Sequence, residues 1–412
     1  LFLFNFRLVL IENAIILVAL EVVMGKGRVY DDPKFSYTDS YSGREIHRLT
    51  DYLGHSNHFY FTDPCWFNEG RSFVFTSQRE NSGNLFRYDL DDGKITQMTD
   101  LNTHGRPGGC LSVANQVVYF GQGRKIIELK LDSLEERVVM EYEGDMEMRG
   151  RANPTADGKY LCTNLMEVIP EEGNSVSFAY SRFVEFFEKR PLSQIARIEV
   201  ATGKLDVVHE DRRYLGHINT SPTQADILTF CHEGPWARVD QRMWGLNIQT
   251  GEAWKIRDQE GQNIAVGHEY WFADGEHIGY HGRPRDGKGN HVFGLLKYDN
   301  SNFREVNFPF HSTHFHSLDE TMMVGDGNKW GGTNAKPFIQ LFKWDGEQYV
   351  GPKLLSYHRS TFNDQHAHCH PRFTPDGKSI LYTSDLTSYS NMYLVDIGDF
   401  DSLPDLTEDM SG

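Results

Sequence analysis

The sequence predicts an all-β protein, a seven-bladed β-propeller with a small helical insertion. Three observations predict it. From about residue 60 a pattern recurs at a spacing of roughly 40–60 residues. Each unit reads as four short apolar strands joined by turns rich in Asp, Asn and Gly, which is the plan of a propeller blade. Seven such units can be counted before the chain ends.

The strand Glu45-Ile46-His47-Arg48-Leu49-Thr50 precedes the first unit and is expected to close the ring as the outer strand of the last blade. The units begin near Trp66-Phe67-Asn68-Glu69-Gly70, Ser112-Val113-Ala114-Asn115, Asn153-Pro154-Thr155-Ala156-Asp157-Gly158 and Ser221-Pro222-Thr223. Three more begin near Tyr270-Trp271-Phe272-Ala273-Asp274-Gly275, His316-Ser317-Leu318-Asp319-Glu320 and Arg372-Phe373-Thr374-Pro375-Asp376-Gly377. One stretch breaks the pattern. Ser181–Lys189 carries Phe183, Phe186 and Phe187 at helical spacing, so it reads as a helix inserted in the third unit. Residues 24–412 are expected to form this single propeller. Residues 1–23 are apolar but include Asn5, Arg7, Glu12 and Asn13, and the uncharged run Ala14–Leu20 is far short of the ~20 residues of a membrane span. They read as a start placed too far upstream of Met24, with a degenerate signal or anchor as the alternative.

Composition narrows the partners. The chain carries 41 basic and 58 acidic residues, a formal charge of −17. Nucleic acid and anionic membranes, held largely by basic side chains, are therefore not expected. Cys65, Cys110, Cys162, Cys231 and Cys369 are odd in number and form no C-x-x-C pair, which reads as buried thiols in a reducing compartment.

The repeat also organises the histidines. His370 lies seven positions before Gly377 of its Asp-Gly turn, and His268 seven before Gly275. His314 and His217 hold the same register before Thr321 and Gln224, and Arg151 holds it in the third blade. These residues are expected to ring one mouth of the central channel, just before the innermost strands. The loop Cys231–Arg242 opens on the same face and adds His232 and Arg242. A single His at a strand start is ordinarily a hydrogen-bonded structural residue. Four at one register, joined by His366 and His368 in Gln365-His366-Ala367-His368-Cys369-His370, favour a metal site or catalysis instead.

Imidazoles suit Zn, Mn, Fe, Ni or Cu, and a neutral amide oxygen beside them tilts the choice towards a harder ion such as Mn. Strand alternation groups His366 with His368 and His370 and puts Gln365 on the other side. Neutral ligands leave a metal its full charge, which suits a carboxylate-bearing substrate. A metal-held carboxylate acidifies the adjacent C–H, and a neutral His could then act as base. The expected reaction is proton abstraction next to a carboxylate, followed by loss of a leaving group. No G-x-S-x-G elbow, Walker loop or H-E-x-x-H occurs.

The chain resembles the oligogalacturonate lyase family, seven-bladed propeller enzymes of pectin breakdown. The resemblance runs from Met24 nearly to the C-terminus. Its motifs include Leu215-Gly216-His217, Phe230-Cys231-His232-Glu233-Gly234-Pro235, Asp240-Gln241-Arg242-Met243-Trp244, His268-Glu269-Tyr270-Trp271, Met323-Val324-Gly325-Asp326-Gly327 and His370-Pro371-Arg372-Phe373-Thr374-Pro375-Asp376. It implies a manganese-type ion bound by His314, Gln365, His368 and His370, with His268 as base and Arg242 as the cation at the substrate carboxylate. It implies β-elimination on short oligogalacturonides, chiefly the dimer, in the cytoplasm. Arg151, His217 and His232 are then expected to bind substrate, and His217 or His232 to protonate the leaving oxygen. His366 stands where the family carries an apolar residue, and residues 1–23 have no counterpart. A non-enzymatic TolB-like propeller, which shares the Pro-Asp-Gly repeats, is the competing reading. The propeller part of a serine peptidase is a third, and it lacks its nucleophile.

Overall fold

The computed structural model describes residues 5–11, 14–20, 25–170, 181–308, 312–327, 336–407 and 410. Seven antiparallel sheets follow one another along the chain, each a blade of at least four strands. The innermost strands of blades two to seven are Gly109–Ser112, Asn153–Pro154, Leu215–Thr220, Ala265–Trp271, Phe315–His316 and Arg372–Phe373. In blade one the inner position is split between Ser56–His58 and Trp66–Phe67, both paired with Ser72–Ser77. Residues 59–65 between them reach into the channel region.

The ring closes as expected. Strand Glu45–Arg48 pairs with Tyr389–Asp396 in the register Tyr393↔Arg48, Leu394↔His47, Val395↔Ile46. Phe35–Thr38 then adds a fifth strand outside it, and Val29–Tyr30 likewise extends blade one. Both additions cover edges that would otherwise offer free ladder groups.

The turns show why the repeat is so regular. In blade seven Thr374 Oγ1 donates to Asp376 Oδ1 (2.7 Å) and the Lys378 N–H donates to the same oxygen (3.1 Å). In blade three Thr155, Asp157 and Lys159 make the same two bonds at the same lengths. The glycine that follows the Asp sits at φ +70° in both, a conformation that costs other residues about 1 kcal/mol or more.

Apolar side chains fill the gaps between blades. Phe272, Phe293, Phe315 and Phe342 pack between blades five and six, and Phe61 joins them from blade one. Each such ring removed from water stabilises the fold by about 1.5–3 kcal/mol. The insertion Ser181–Lys189 is an α-helix between the strands Tyr160–Met166 and Leu192–Glu199 of blade three. Residues 5–11 and 14–20 pair as a separate two-stranded ribbon. All five cysteines are free and buried. Among the described residues no helix is long and apolar enough to cross a membrane.

Candidate active site and metal centre

Two blades depart from regular pairing at their histidine. In blade four, Gly216 pairs with Cys231 and the ladder resumes at Asn219↔Thr229, so His217 and Ile218 face the single residue Phe230. In blade five, Gly267 pairs with His281 and the ladder resumes at Tyr270↔Gly279, leaving His268 and Glu269 opposite Tyr280. A bulge bends the strand and re-aims one side chain. His217 and His268 accordingly sit at φ +49° and +52°, and His370, just ahead of its strand, sits at +42°. Such left-handed backbone costs about 1–3 kcal/mol per residue, and concentrates where function requires it. The register histidines thus lie inside the strands in blades four and five, not before them.

The glycine ahead of each bulge makes room. A Cβ on Gly216 would stand 2.6 Å from Glu233 Cγ. One on Gly267 would stand 2.5 Å from the Trp236 ring and 2.9 Å from Arg242 Nε.

His314, His368 and His370 converge, each offering a nitrogen within 4.8 Å of the others. Asp326, fully buried, fixes His314 by accepting from its Nδ1 (2.6 Å) and its backbone N–H (3.1 Å). Burial pushes the Asp326 carboxyl up, but His314 and these hydrogen bonds bring it below its ordinary value. His368 Nδ1 is buried without a partner. Burial, then His314, holds His368 down to about 4, and burial with the neighbouring imidazoles holds His370 well below 6.5. Lone pairs therefore stay available at both rings.

Gln365 joins this group for a reason that strand alternation does not supply. Gln365–Ala367 is a 3₁₀ turn, capped by Asp364, whose side chain accepts from the His366 N–H (2.6 Å). The turn brings Gln365 Nε2 to 3.1 Å from His370 Nε2. The two amide atoms exchange places by a half-turn. His366 is outside the convergent trio, and its backbone carbonyl accepts from Asn57 and Ser390. Three imidazoles and an amide fit a divalent ion of intermediate hardness.

His268 stands next to this group, its ring centre 4.7 Å from that of His314. Its Nδ1 shares a hydrogen bond with His281 Nε2 (2.9 Å), which orients the ring. Burial, then the His314 and His281 rings and Arg242, holds its pKa well below 6.5. His217 behaves in the opposite way. Burial alone would lower it, but Glu233, 3.0 Å from Nε2, raises it above 6.5.

Arg242 is buried between two carboxylates. Glu233 takes both guanidinium tips (3.1 and 3.3 Å) and Glu269 lies 3.5 Å from Nε. Arg242 and His217 hold Glu233 in place of open solvent; burial pushes its carboxyl up, yet Arg242 and His217 bring it far below the usual range. Two buried carboxylates thus stand beside His217 and Arg242. His232 is not brought to this cluster. Its ring packs on Trp244 (4.8 Å) with Nε2 3.6 Å from Asp211.

A cavity of about 550 Å³ adjoins the histidines, lined by Tyr60, Arg106, Arg149, Arg151, His217 and Glu233 among others. Phe183 of the inserted helix forms one wall. Arg151 pairs with Asp63 (2.5 Å). Tyr60 links the two regions, its ring 4.8 Å from His370 and 6.1 Å from both His314 and His217. Burial, then Glu269 and Glu233, pushes its hydroxyl well above 10, so it stays protonated. Sequence reasoning missed Tyr60, Arg106, Arg149, Glu233 and Glu269. The two glutamates carried a signal, since each follows a histidine in His232-Glu233 and His268-Glu269.

The oligogalacturonate lyase family profile matches residues 24–401. The oligogalacturonide lyase of Pectobacterium atrosepticum is 28% identical over 394 residues, covering 91% of this chain and 99% of that protein. The oligogalacturonate lyase of Dickeya dadantii is 28% identical over 391 residues, with the same coverage. A solved oligogalacturonate lyase in complex with manganese superposes with a TM-score of 0.80 at 25% identity, over 92% of this chain and 99% of the other. The oligogalacturonate lyase structure from Vibrio parahaemolyticus shares the fold, with a TM-score of 0.80 at 24% identity over 91% and 100%.

Proposed function

The chain belongs to the oligogalacturonate lyase family, and from that premise we propose how its own residues carry out the elimination. It is a pectin-degrading lyase, and the TolB-like reading falls away with that membership. The observation that carries the mechanism is a pair of histidines driven apart. His268 is held neutral and His217 is held towards its protonated form. Opposed environments of this kind mark a base and an acid.

In this reading the substrate is a short oligogalacturonide, chiefly the dimer, seated in the cavity beside Tyr60. Arg151, with Arg149 and Arg106, faces its carboxylates. The neutral His268 removes the proton next to the reacting carboxylate, on a nitrogen left free by the bond to His281. The electron pair of that C–H becomes a carbon–carbon double bond. The adjacent carbon–oxygen bond breaks, and the leaving oxygen takes a proton from His217. Arg242 contributes its field more than a new hydrogen bond, since Glu233 and Glu269 already hold it. The products are a shortened uronide and an unsaturated uronate that rearranges to the keto form.

His314, His368, His370 and Gln365 would hold the metal, and manganese is the ion we assign, on the donor set and on the manganese complex of the relative. When bound it supplies Lewis acidity at the substrate carboxylate, lowering the pKa of the neighbouring C–H. Five free buried thiols favour the cytoplasm.

The test is the rise in absorbance of unsaturated uronate when purified protein with manganese meets digalacturonate. Turnover is expected. Its absence with digalacturonate, trigalacturonate and longer oligomers alike would refute the substrate assignment.

A further inference from the structure

The segment that carries Gln365, His368 and His370 leaves blade six after Tyr357, the last residue of the strand Tyr349–Tyr357. Its first residue is His358, a buried imidazole that the reaction does not use. Backbone strain follows it: Arg359 and Phe362 take φ +52° and +54°. Left-handed backbone at residues with a Cβ persists only where the surroundings impose it.

Both nitrogens of the His358 ring are committed. Nδ1 accepts from the Ser360 N–H (2.9 Å), so a neutral ring carries its proton on Nε2. Nε2 donates that proton to the Asp326 backbone carbonyl (3.0 Å). Each partner leads to a different ligand. The Asp326 side chain accepts from His314 Nδ1 (2.6 Å), which leaves the His314 lone pair on Nε2. Ser360 Oγ donates to the Ala367 carbonyl, with Asp385 Oδ1 the longer alternative (3.1 Å), and the residue after Ala367 is His368.

Packing runs along the same line. The His358 ring lies 5.6 Å from the buried Phe362 ring, and Phe362 lies 5.0 Å from the His368 ring. His314 precedes the inner strand of blade six, and His368 precedes that of blade seven. His358 therefore links two ligands that different blades supply. His368 Nδ1 is buried without a partner, so the ring is placed by its backbone and its packing, and Ser360 and Phe362 bear on both.

We propose that His358 is a positioning residue of the metal centre, a strut that sets the spacing of His314 and His368 and thereby the affinity for manganese. It acts through Asp326 on one side and Ser360 on the other. The strut rests on the reading that His314, Gln365, His368 and His370 hold the ion. Groups one layer behind metal ligands change metal affinity by about 10–100-fold when removed.

The experiment is a calorimetric titration of the metal-free, full-length chain with manganese, with Tm of the metal-free protein measured alongside. Three substitutions divide the strut. His358→Gln keeps a donor near the Nε2 position, His358→Asn keeps an acceptor near the Nδ1 position, and His358→Phe keeps a ring with neither. His358→Phe is expected to weaken manganese binding about ten-fold or more. His358→Gln and His358→Asn are each expected to fall between it and the wild type. Unchanged affinity in His358→Phe, whatever its Tm, would overturn the proposal. So would equal weakening in all three, which a general loss of packing produces. Where His358→Phe does not fold, Ser360→Ala carries the test: weakened manganese binding supports the strut, and wild-type affinity overturns it. His370→Ala in the same series separates the strut from the reading beneath it, and is expected to lose the site. Wild-type manganese binding by His370→Ala would overturn the ligand assignment and the strut together. Loss of manganese in His370→Ala with full binding in His358→Phe would overturn the strut alone.

Discussion

Blades two and five follow the same four-strand plan, yet only one of them reaches the chemistry. In blade two the inner strand pairs without a break, Gly109↔Phe120, Cys110↔Tyr119, Leu111↔Val118 and Ser112↔Val117. In blade five the equivalent strand bulges at His268 and Glu269, and the histidine takes a left-handed backbone. Blade two is straight and serves packing: Leu111 and Val118 belong to the core shared with blade one. Blade five accepts local strain and gains a ring aimed at His314. The difference teaches that activity in this fold lies where the repeat is broken, on a frame that the intact repeats hold rigid.

The comparison can be broken in several ways. The largest effect is expected from the metal. Chelation should lower turnover by about a thousand-fold or more, the scale of a lost Lewis acid, while circular dichroism stays native. The blades are closed by Glu45–Arg48 on Tyr389–Asp396, not by the histidines. Loss of the fold on chelation would make the metal structural.

A matched pair of glycines separates the two blades directly. Gly267→Ala pushes a Cβ towards Trp236 and Arg242, and should lower kcat/KM by about 100-fold through misplaced groups. Gly109→Ala places its Cβ 2.9 Å from Val118 Cγ1. It should lower stability by about 1–3 kcal/mol, as overpacking does, with kcat retained. Denaturant midpoints and steady-state kinetics on both variants decide, and equal kinetic defects would erase the distinction between the blades.

The smallest expected effect is a change in pH profile. The His268 pKa lies below 6.5, so the base persists as pH falls past that value. The His217 pKa lies above 6.5, so the acid persists as pH rises past it. The kcat/KM plateau should therefore straddle pH 6.5. Glu233→Gln removes the carboxylate that raises His217, so the alkaline limb should move to lower pH. An unmoved alkaline limb would detach His217 from the acid role.

Much of this was legible in the sequence because period carries it. The seven units, the closing strand and the helix Ser181–Lys189 follow from spacing and apolar pattern alone. The register of His217, His268, His314 and His370 follows from the same count. The remainder depends on backbone departures that alternation does not encode. The bulges re-aim His217 and His268, and the Asp364-capped 3₁₀ turn swings Gln365 to His370 and takes His366 away. Tyr60 was hidden for another reason. It lies in the break between the two halves of blade one's inner strand, where no register applies. His232 was expected in the cluster, and Glu233 stands there instead, because adjacent residues of an extended chain face opposite ways. The carboxylate meets Arg242, and the imidazole meets Trp244.

The central claim is that His268 is the base beside the metal ligands and not one of them. It is tested most directly by measuring manganese content and digalacturonate turnover on one preparation of His268→Ala. The account predicts that manganese stays bound at the wild-type stoichiometry while turnover falls by about 10²–10⁴-fold, the range of a lost general base. Loss of manganese together with turnover would contradict it and make His268 a ligand.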